Sequence, residues 1–337
     1  MKKCAGKAAA AGLAAAMVLS MCACGGESSS AAAPAGETQT EAAVGESRTL
    51  KIGVLKIADS FPLYVAAQEG MFADQGLDVE IVDFQSASDQ STACEAGELD
   101  GMMTDMVVQS LLDKSEGDKG QKTVAMAFGG TKEEGRFLVV SSPDSGITKP
   151  EDLEGARIGI SENTMMEYLV TSYLKDLGVD LDKVELVNIP KLTLRLDSVI
   201  EGNDIQAAIL PDPLAIEAVE RGCNTVIDDT QLDKNYSQSV VTLSNDLIEN
   251  DPETVEKFLN AYNQAIEAID ADPDSYADLF YEKANVADDL QDDYQVPTYT
   301  ADCVPTEEEA DSIENWMVSK QLLDEPFTYD ELVRQPQ

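Results

Sequence analysis

Two spacings of apolar residues take turns along this chain. The run Leu50-Lys51-Ile52-Gly53-Val54-Leu55-Lys56-Ile57 carries Ile52, Val54 and Ile57 in the manner of a buried strand. Residues 61–70 then predict a helix, with Pro62 in the first turn, where a missing N–H costs nothing, and Gly70 at its end. Residues 76–82 alternate as a second strand, 89–95 predict a short helix stopped by Gly97, and 101–104 a third strand. A helix over 106–114 and strands over 123–128 and 136–141 follow, closed by the turn cluster Ser142-Pro143-Asp144-Ser145-Gly146. Beyond it, strands at 156–160, 184–189, 207–210 and 225–227 alternate with helices at 165–177, 192–200 and 214–220. A strand over 239–243 leads into helices over 252–269, 273–284, 306–320 and 329–333. Alternation of this kind builds doubly wound α/β layers.

The chain after residue 48 is long enough for two lobes of roughly 100–150 residues each. A crossing at 142–146 and a return at 239–243 divide it into lobe 1 (49–141 and 237–337) and lobe 2 (142–236). Two crossings make a hinge, and in open α/β sheets ligands sit beyond the carboxyl ends of the strands. Those ends nominate Asp59, Ser60, Phe61, Thr104, Asp105 and Met106 in the first lobe. In the second they nominate Glu162, Asn163, Thr164, Met165 and Asp212. Lys191 and Arg195 begin a nearby helix and Tyr236 precedes the return strand. Each position has a structural alternative. Asp212 before Pro213 has the look of a helix cap, Asp105 and Ser60 stand where caps stand, Phe61 suits a core, and Lys191 and Arg195 suit a solvated face.

Residues 1–48 are set apart from this pattern. Lys2, Lys3 and Lys7 precede an apolar run, 8–21, too short for a span of roughly twenty residues. Small residues then lead into Cys22-Ala23-Cys24-Gly25-Gly26, which resembles a bacterial lipoprotein signal. Cys24 is the expected lipidation site, because Ala23 precedes it, whereas cleavage before Cys22 would fall after the bulky Met21. The resemblance implies that residues 1–23 are the signal peptide. An anchor of two or more acyl chains holds stably to a membrane, without spanning it. Residues 24–48, rich in Ser, Ala, Gly, Glu and Thr, read as a flexible tether.

Charge and composition narrow the chemistry. With 23 Lys and Arg against 64 Asp and Glu, the net charge is −41, which argues against nucleic-acid binding and against adsorption of the folded surface to anionic lipid. There is no histidine, which removes His-based triads, His general bases and most zinc sites. Beyond the signal, Cys94, Cys223 and Cys303 are odd in number and widely spaced, so they read as buried thiols, with one disulfide left open. Gly129-Gly130-Thr131-Lys132 lacks the spacing of a phosphate loop. Asp270, Asp272 and Asp274 mimic the start of a calcium loop, but Ser275 and Tyr281 occupy the positions that need Gly and Glu, so the acids read as helix caps. No catalytic residue, metal site or cofactor is expected, and the chain is not read as an enzyme.

Several short stretches carry a family resemblance: Pro62-Leu63-Tyr64-Val65-Ala66, Glu69-Gly70-Met71-Phe72, Gly76-Leu77-Asp78-Val79-Glu80 and Gly97-Glu98-Leu99-Asp100. It continues through Pro150-Glu151-Asp152-Leu153-Glu154-Gly155 and Ile209-Leu210-Pro211-Asp212-Pro213. In this order the stretches resemble the solute-binding proteins of ABC importers for nitrate, alkylsulfonates, taurine and thiamine-pyrimidine precursors. The resemblance implies a two-lobed α/β fold of the type II periplasmic-binding-protein kind. It also implies a monomer on the extracytoplasmic face of the cell membrane that captures a small molecule and delivers it to permease and ATPase subunits. A relative of this fold makes the thiamine pyrimidine by consuming one of its own histidines, a reaction this chain cannot perform. Asp59, Asp105, Glu162 and Asp212 in the loops, against Lys56, Lys191 and Arg195, favour an amine-bearing ligand over a simple anion. The expected cargo is an amino-heterocycle such as a thiamine-pyrimidine precursor, stacked on Phe61 or Tyr64, with Met106, Met165 and Met166 as adaptable walls. The alternatives are an anion (an alkylsulfonate, taurine or nitrate) and a ligand-sensing lipoprotein that has no transporter.

Overall fold

The protein is described here by a computed structural model covering residues 49–116, 120–292 and 294–335. The expected signal peptide, tether and lipidation site at Cys24 lie outside the described residues. The strands are β1 (Thr49–Leu55), β2 (Asp78–Phe84), β3 (Gly101–Asp105), β4 (Gln121–Phe128), β5 (Phe137–Ser141), β6 (Arg157–Ile160), β7 (Glu185–Asn188), β8 (Ala207–Pro211), β9 (Asn224–Asp228) and β10 (Ser239–Ser244). The helices are α1 (Phe61–Gln68), α2 (Met71–Asp74), α3 (Ala87–Glu95), α4 (Met106–Glu116), α5 (Met165–Asp176), α6 (Leu192–Glu201), α7 (Leu214–Glu220), α8 (Asn245–Asn250), α9 (Pro252–Ala271), α10 (Ala277–Lys283), α11 (Glu307–Ser319) and α12 (Tyr329–Leu332). Only α2 and α8 fall outside the sequence expectation; at 4 and 6 residues they are too short to show a period. No helix among the described residues is long and apolar enough to cross a membrane.

The strands form two sheets of the same design, ordered β2-β1-β3-β10-β4 and β7-β6-β8-β5-β9. In each, four strands run in one direction, and the strand arriving from the other half of the chain is antiparallel to both its neighbours. Strand β5 therefore belongs to the second sheet, with Phe137 opposite Pro211 and Ser141 opposite Ala207. The sequence pattern places the end of the first lobe at residue 141; the crossing instead precedes β5. The reason is physical: all five residues of β5 are buried, and its apolar run Phe137–Val140 suits the interior of either sheet.

Helix α9 covers the first sheet. Asp251 caps it by accepting from Thr254 N, Pro252 sits in its first turn, and Val255, Phe258, Ala261, Tyr262, Ala265, Ile266 and Ile269 form its buried stripe. Phe258 stacks on Phe72 at 5.3 Å, and Phe61 meets Phe280 of α10 edge-on at 5.0 Å. Each such side chain contributes about 1.5–3 kcal/mol by leaving water. Helix α5 does the same for the second sheet with Tyr168, Leu169, Val170, Tyr173 and Leu174. Cys223 is buried and Cys303 half-buried, both as free thiols.

The last helices were expected to rejoin the first lobe, and α11 does more than that. Its Glu314 accepts from Ser110 Oγ of α4 at 2.6 Å, while its Trp316 donates from Nε1 to Thr171 Oγ1 of α5 at 2.9 Å. Tyr168 and Ser312 pair their hydroxyls at 3.0 Å, and Lys320 meets the buried Glu167 at 2.5 Å. One helix thus touches the layers of both sheets, which belong to one compact unit.

Candidate ligand-binding site

The carboxyl ends of β1, β3, β6 and β7 converge on a cavity of about 50 Å³ between the sheets. Asp59 reaches it from the turn after β1, Gln90 from α3, and Thr104 and Asp105 from the end of β3. The second sheet adds Ser161, Thr164, Met165 and Met166 after β6, and Pro190, Leu192 and Arg195 after β7. Phe137 and Ser239, the first residues of the two crossing strands, complete the wall with Leu55, Ile57, Ala87 and Met103.

Arg195 is the most unusual of these groups. Helix α6 turns Leu192, Arg195, Leu196 and Val199 inward, so the arginine lies in the middle of an apolar stripe. Its stem crosses β6 at Gly159, where a Cβ would come within 3.3 Å of Arg195 Cγ and 2.7 Å of Ile205 Cδ1. The side chain is 0 % exposed and none of its three nitrogens has a hydrogen-bond partner. Burial alone lowers its pKa to about 9. A buried guanidinium without a counter-charge is costly, so its position demands another explanation than packing.

Opposite in sign, Asp59 is buried with Oδ1 unpartnered; desolvation, reinforced by the charge of Asp105, raises its pKa to about 7. Asp105 accepts from Val108 N at 2.9 Å and so caps α4, yet burial still raises it to about 6. Gln90 donates to Gly53 O at 2.9 Å and to Met103 O at 2.8 Å, which ties α3 to β1 and β3 and leaves Oε1 unpartnered. Thr104 Oγ1 and Ser239 Oγ are also unpartnered. Among the described residues nine buried side-chain polar atoms lack a partner, and seven of them belong to residues lining this one cavity. Buried polar groups are normally satisfied, so their concentration here singles out this cavity as the candidate binding surface.

Of the eleven residues nominated from sequence, Asp59, Thr104, Asp105, Thr164 and Met165 line the cavity. Thr164 also caps α5, accepting from Met166 N at 3.2 Å. The others go elsewhere. Ser60 Oγ closes its own turn on Leu55 O and Ile57 O, Phe61 is core, and Met106 is 1 % exposed in the core. Glu162 and Asn163 border an adjoining groove, where Asn163 N donates to Glu167 Oε2. Asp212 borders a third depression with Arg136 and Tyr294, and its side chain does not cap α7. Tyr64 and Tyr236 donate to Asp83 and Asp176 and lie outside the cavity lining. From sequence Arg195 is a candidate cation near the cleft, with a solvated face as its alternative; its spacing from Leu192, Leu196 and Val199 is the signal that it faces inward. Gln90 and Ser239 gave no such signal.

Comparison with known proteins fits this geometry. A family model described as NMT1/THI5 like matches residues 57–276. A protein of Brachyspira hyodysenteriae with the provisional name ABC transporter periplasmic binding protein is 25% identical over 248 residues, 69% of this chain and 68% of that one. A Bacillus subtilis protein, provisionally an aliphatic sulfonates-binding protein, is 22% identical over 69% of this chain and 70% of its own. The alkanesulfonate-binding protein SsuA from Xanthomonas axonopodis pv. citri, solved with MOPS, superposes with a TM-score of 0.72 at 13% identity, covering 87% of this chain and 100% of that one. A desulfurization enzyme, DSZB, shares the fold at a TM-score of 0.63 and 18% identity, over 85% of this chain and 96% of that one. The fold is the two-lobed α/β fold of periplasmic binding proteins.

Proposed function

The chain belongs to the NMT1/THI5-like family, and we propose that it is an extracytoplasmic solute-binding protein that captures a small organic solute between its two sheets and delivers it to an ABC importer. The observation that carries this reading is the set of unpartnered buried polar atoms gathered at the strand ends. Support comes from the names of its sequence relatives. The lobes are the layers built on the two sheets, the crossings between them are the hinge, and lipid at Cys24 holds the monomer to the membrane. Binding here is reversible closure, not catalysis: the whole chain lacks histidine, and DSZB shows only that the fold itself is compatible with chemistry.

Asp59 and Asp105 favour a ligand with amino groups, such as an amino-heterocycle of the thiamine-pyrimidine type. Arg195 favours a second reading, a ligand with an acid group such as an alkylsulfonate, taurine or nitrate, and the name of the Bacillus subtilis relative points the same way. Thermal-shift measurements on the purified protein, stripped of ligand by refolding, test the binding function. A compound at about a hundred times its dissociation constant adds roughly 2.7 kcal/mol of stability. Binding without consumption of the compound, followed by mass spectrometry, is the expected result; turnover would refute the non-catalytic reading. A permease and an ATPase encoded beside this chain would support import, and a sensor kinase there would favour sensing.

A further inference from the structure

Resting on the binding-protein reading, we propose that the solute is a small zwitterion whose anionic group sits on Arg195 and whose amino group faces Asp59 and Asp105. The argument is one of charge balance in a dry enclosure. Arg195 presents three nitrogens, all buried and all without a partner, so it requires an anion with several acceptor oxygens, as a sulfonate or carboxylate has. That anion does not come from the protein: neither Asp59 nor Asp105 bonds to Arg195, and Asp105 already spends one oxygen on the start of α4.

A ligand with a single charge fits badly in either sense. A simple anion neutralises Arg195 but leaves two buried carboxyl groups facing added negative charge. A simple cation or neutral amino-heterocycle satisfies the carboxyl groups but leaves the guanidinium alone, at the full cost of an unpaired buried charge. A zwitterion meets both ends and adds no net charge. Thr104 and Ser239 hydroxyls and Gln90 Oε1, unpartnered on the same walls, are suited to its remaining polar atoms. Leu55, Ile57, Phe137 and Met165 line the rest and favour a short apolar spacer between the two charged ends.

The test uses calorimetry and thermal shift with matched probes. Taurine, β-alanine and the common amino acids supply both charges; ethanesulfonate and propionate supply only the acid, and ethylamine and 4-aminopyrimidine only the basic or amino end. The expected result is a zwitterion that binds at least about tenfold tighter than any single-charge probe. Arg195→Met and Asp59→Asn should each weaken that binding by about thirtyfold or more. Arg195→Met should at the same time raise the melting temperature of the ligand-free protein, because it removes an unpaired buried charge; that separates lost recognition from lost folding. A single-charge or neutral probe that binds as tightly as every zwitterion overturns the zwitterion assignment and keeps the binding-protein reading. Absence of any stabilisation across the whole panel counts against both.

Discussion

Asp59 keeps its proton to about pH 7 because folding removes its carboxyl group from water. Linkage fixes the sign of the effect on stability. The folded chain binds this proton more tightly than the unfolded chain, so its contribution falls as pH rises from about 4 to about 7 and stays low above that. Asp105, Asp113 and Asp229, raised by burial to about 6, 7 and 7, act in the same direction. Asp59→Asn is therefore expected to be more stable than the parent protein at pH 8, by up to about 4 kcal/mol, and so to melt higher there, with the gap closing toward pH 4. Melting temperatures of both proteins from pH 4 to 8 decide it; a constant gap would show that the carboxyl group is ionised throughout. The same residue shows how far sequence reached. Its place at a strand end was legible from the βα alternation, whereas its burial and its distance from Arg195 depend on how two sheets meet, which no local pattern encodes.

At the level of elements, nearly every strand and helix was readable from period and capping chemistry, down to Pro252 and the turn that ends α1. The misplaced element is β5, and its apolar run Phe137–Val140 is the cause: the pattern that announces a buried strand is silent about which sheet buries it. The crossing before β5 is held tightly. Gly129 adopts φ +86°, and a Cβ there would lie 2.2 Å from Ser237 O on the return crossing, while Asn235 Nδ2 donates to Gly129 O at 2.7 Å. Gly129→Ala is expected to cost about 1–3 kcal/mol of stability, read from denaturant unfolding. A neutral result would mean that the two crossings separate more easily than their contact suggests. Helix α11 adds a second tie, since its bonds to Ser110 and to Thr171 join α4 to α5.

At the scale of the molecule, the cavity holds about 50 Å³, room for a few waters and less than a drug-sized pocket needs. On the binding-protein reading proposed above, a solute larger than that requires the two sheets to move apart, and its residence time depends on that motion as well as on the contacts inside.

The interior position of the two crossing strands also bears on how the chain is made. All five strands of the second sheet lie between residues 137 and 228, but the first sheet cannot close until β10, at 239–244, slots between β3 and β4. A chain that emerges amino end first therefore finishes its second half before its first. In pulse-labelled refolding, amides of β6, β8 and β5 should gain protection ahead of those of β3 and β4. The segment synthesised earliest waits, incomplete, for a strand supplied more than a hundred residues later.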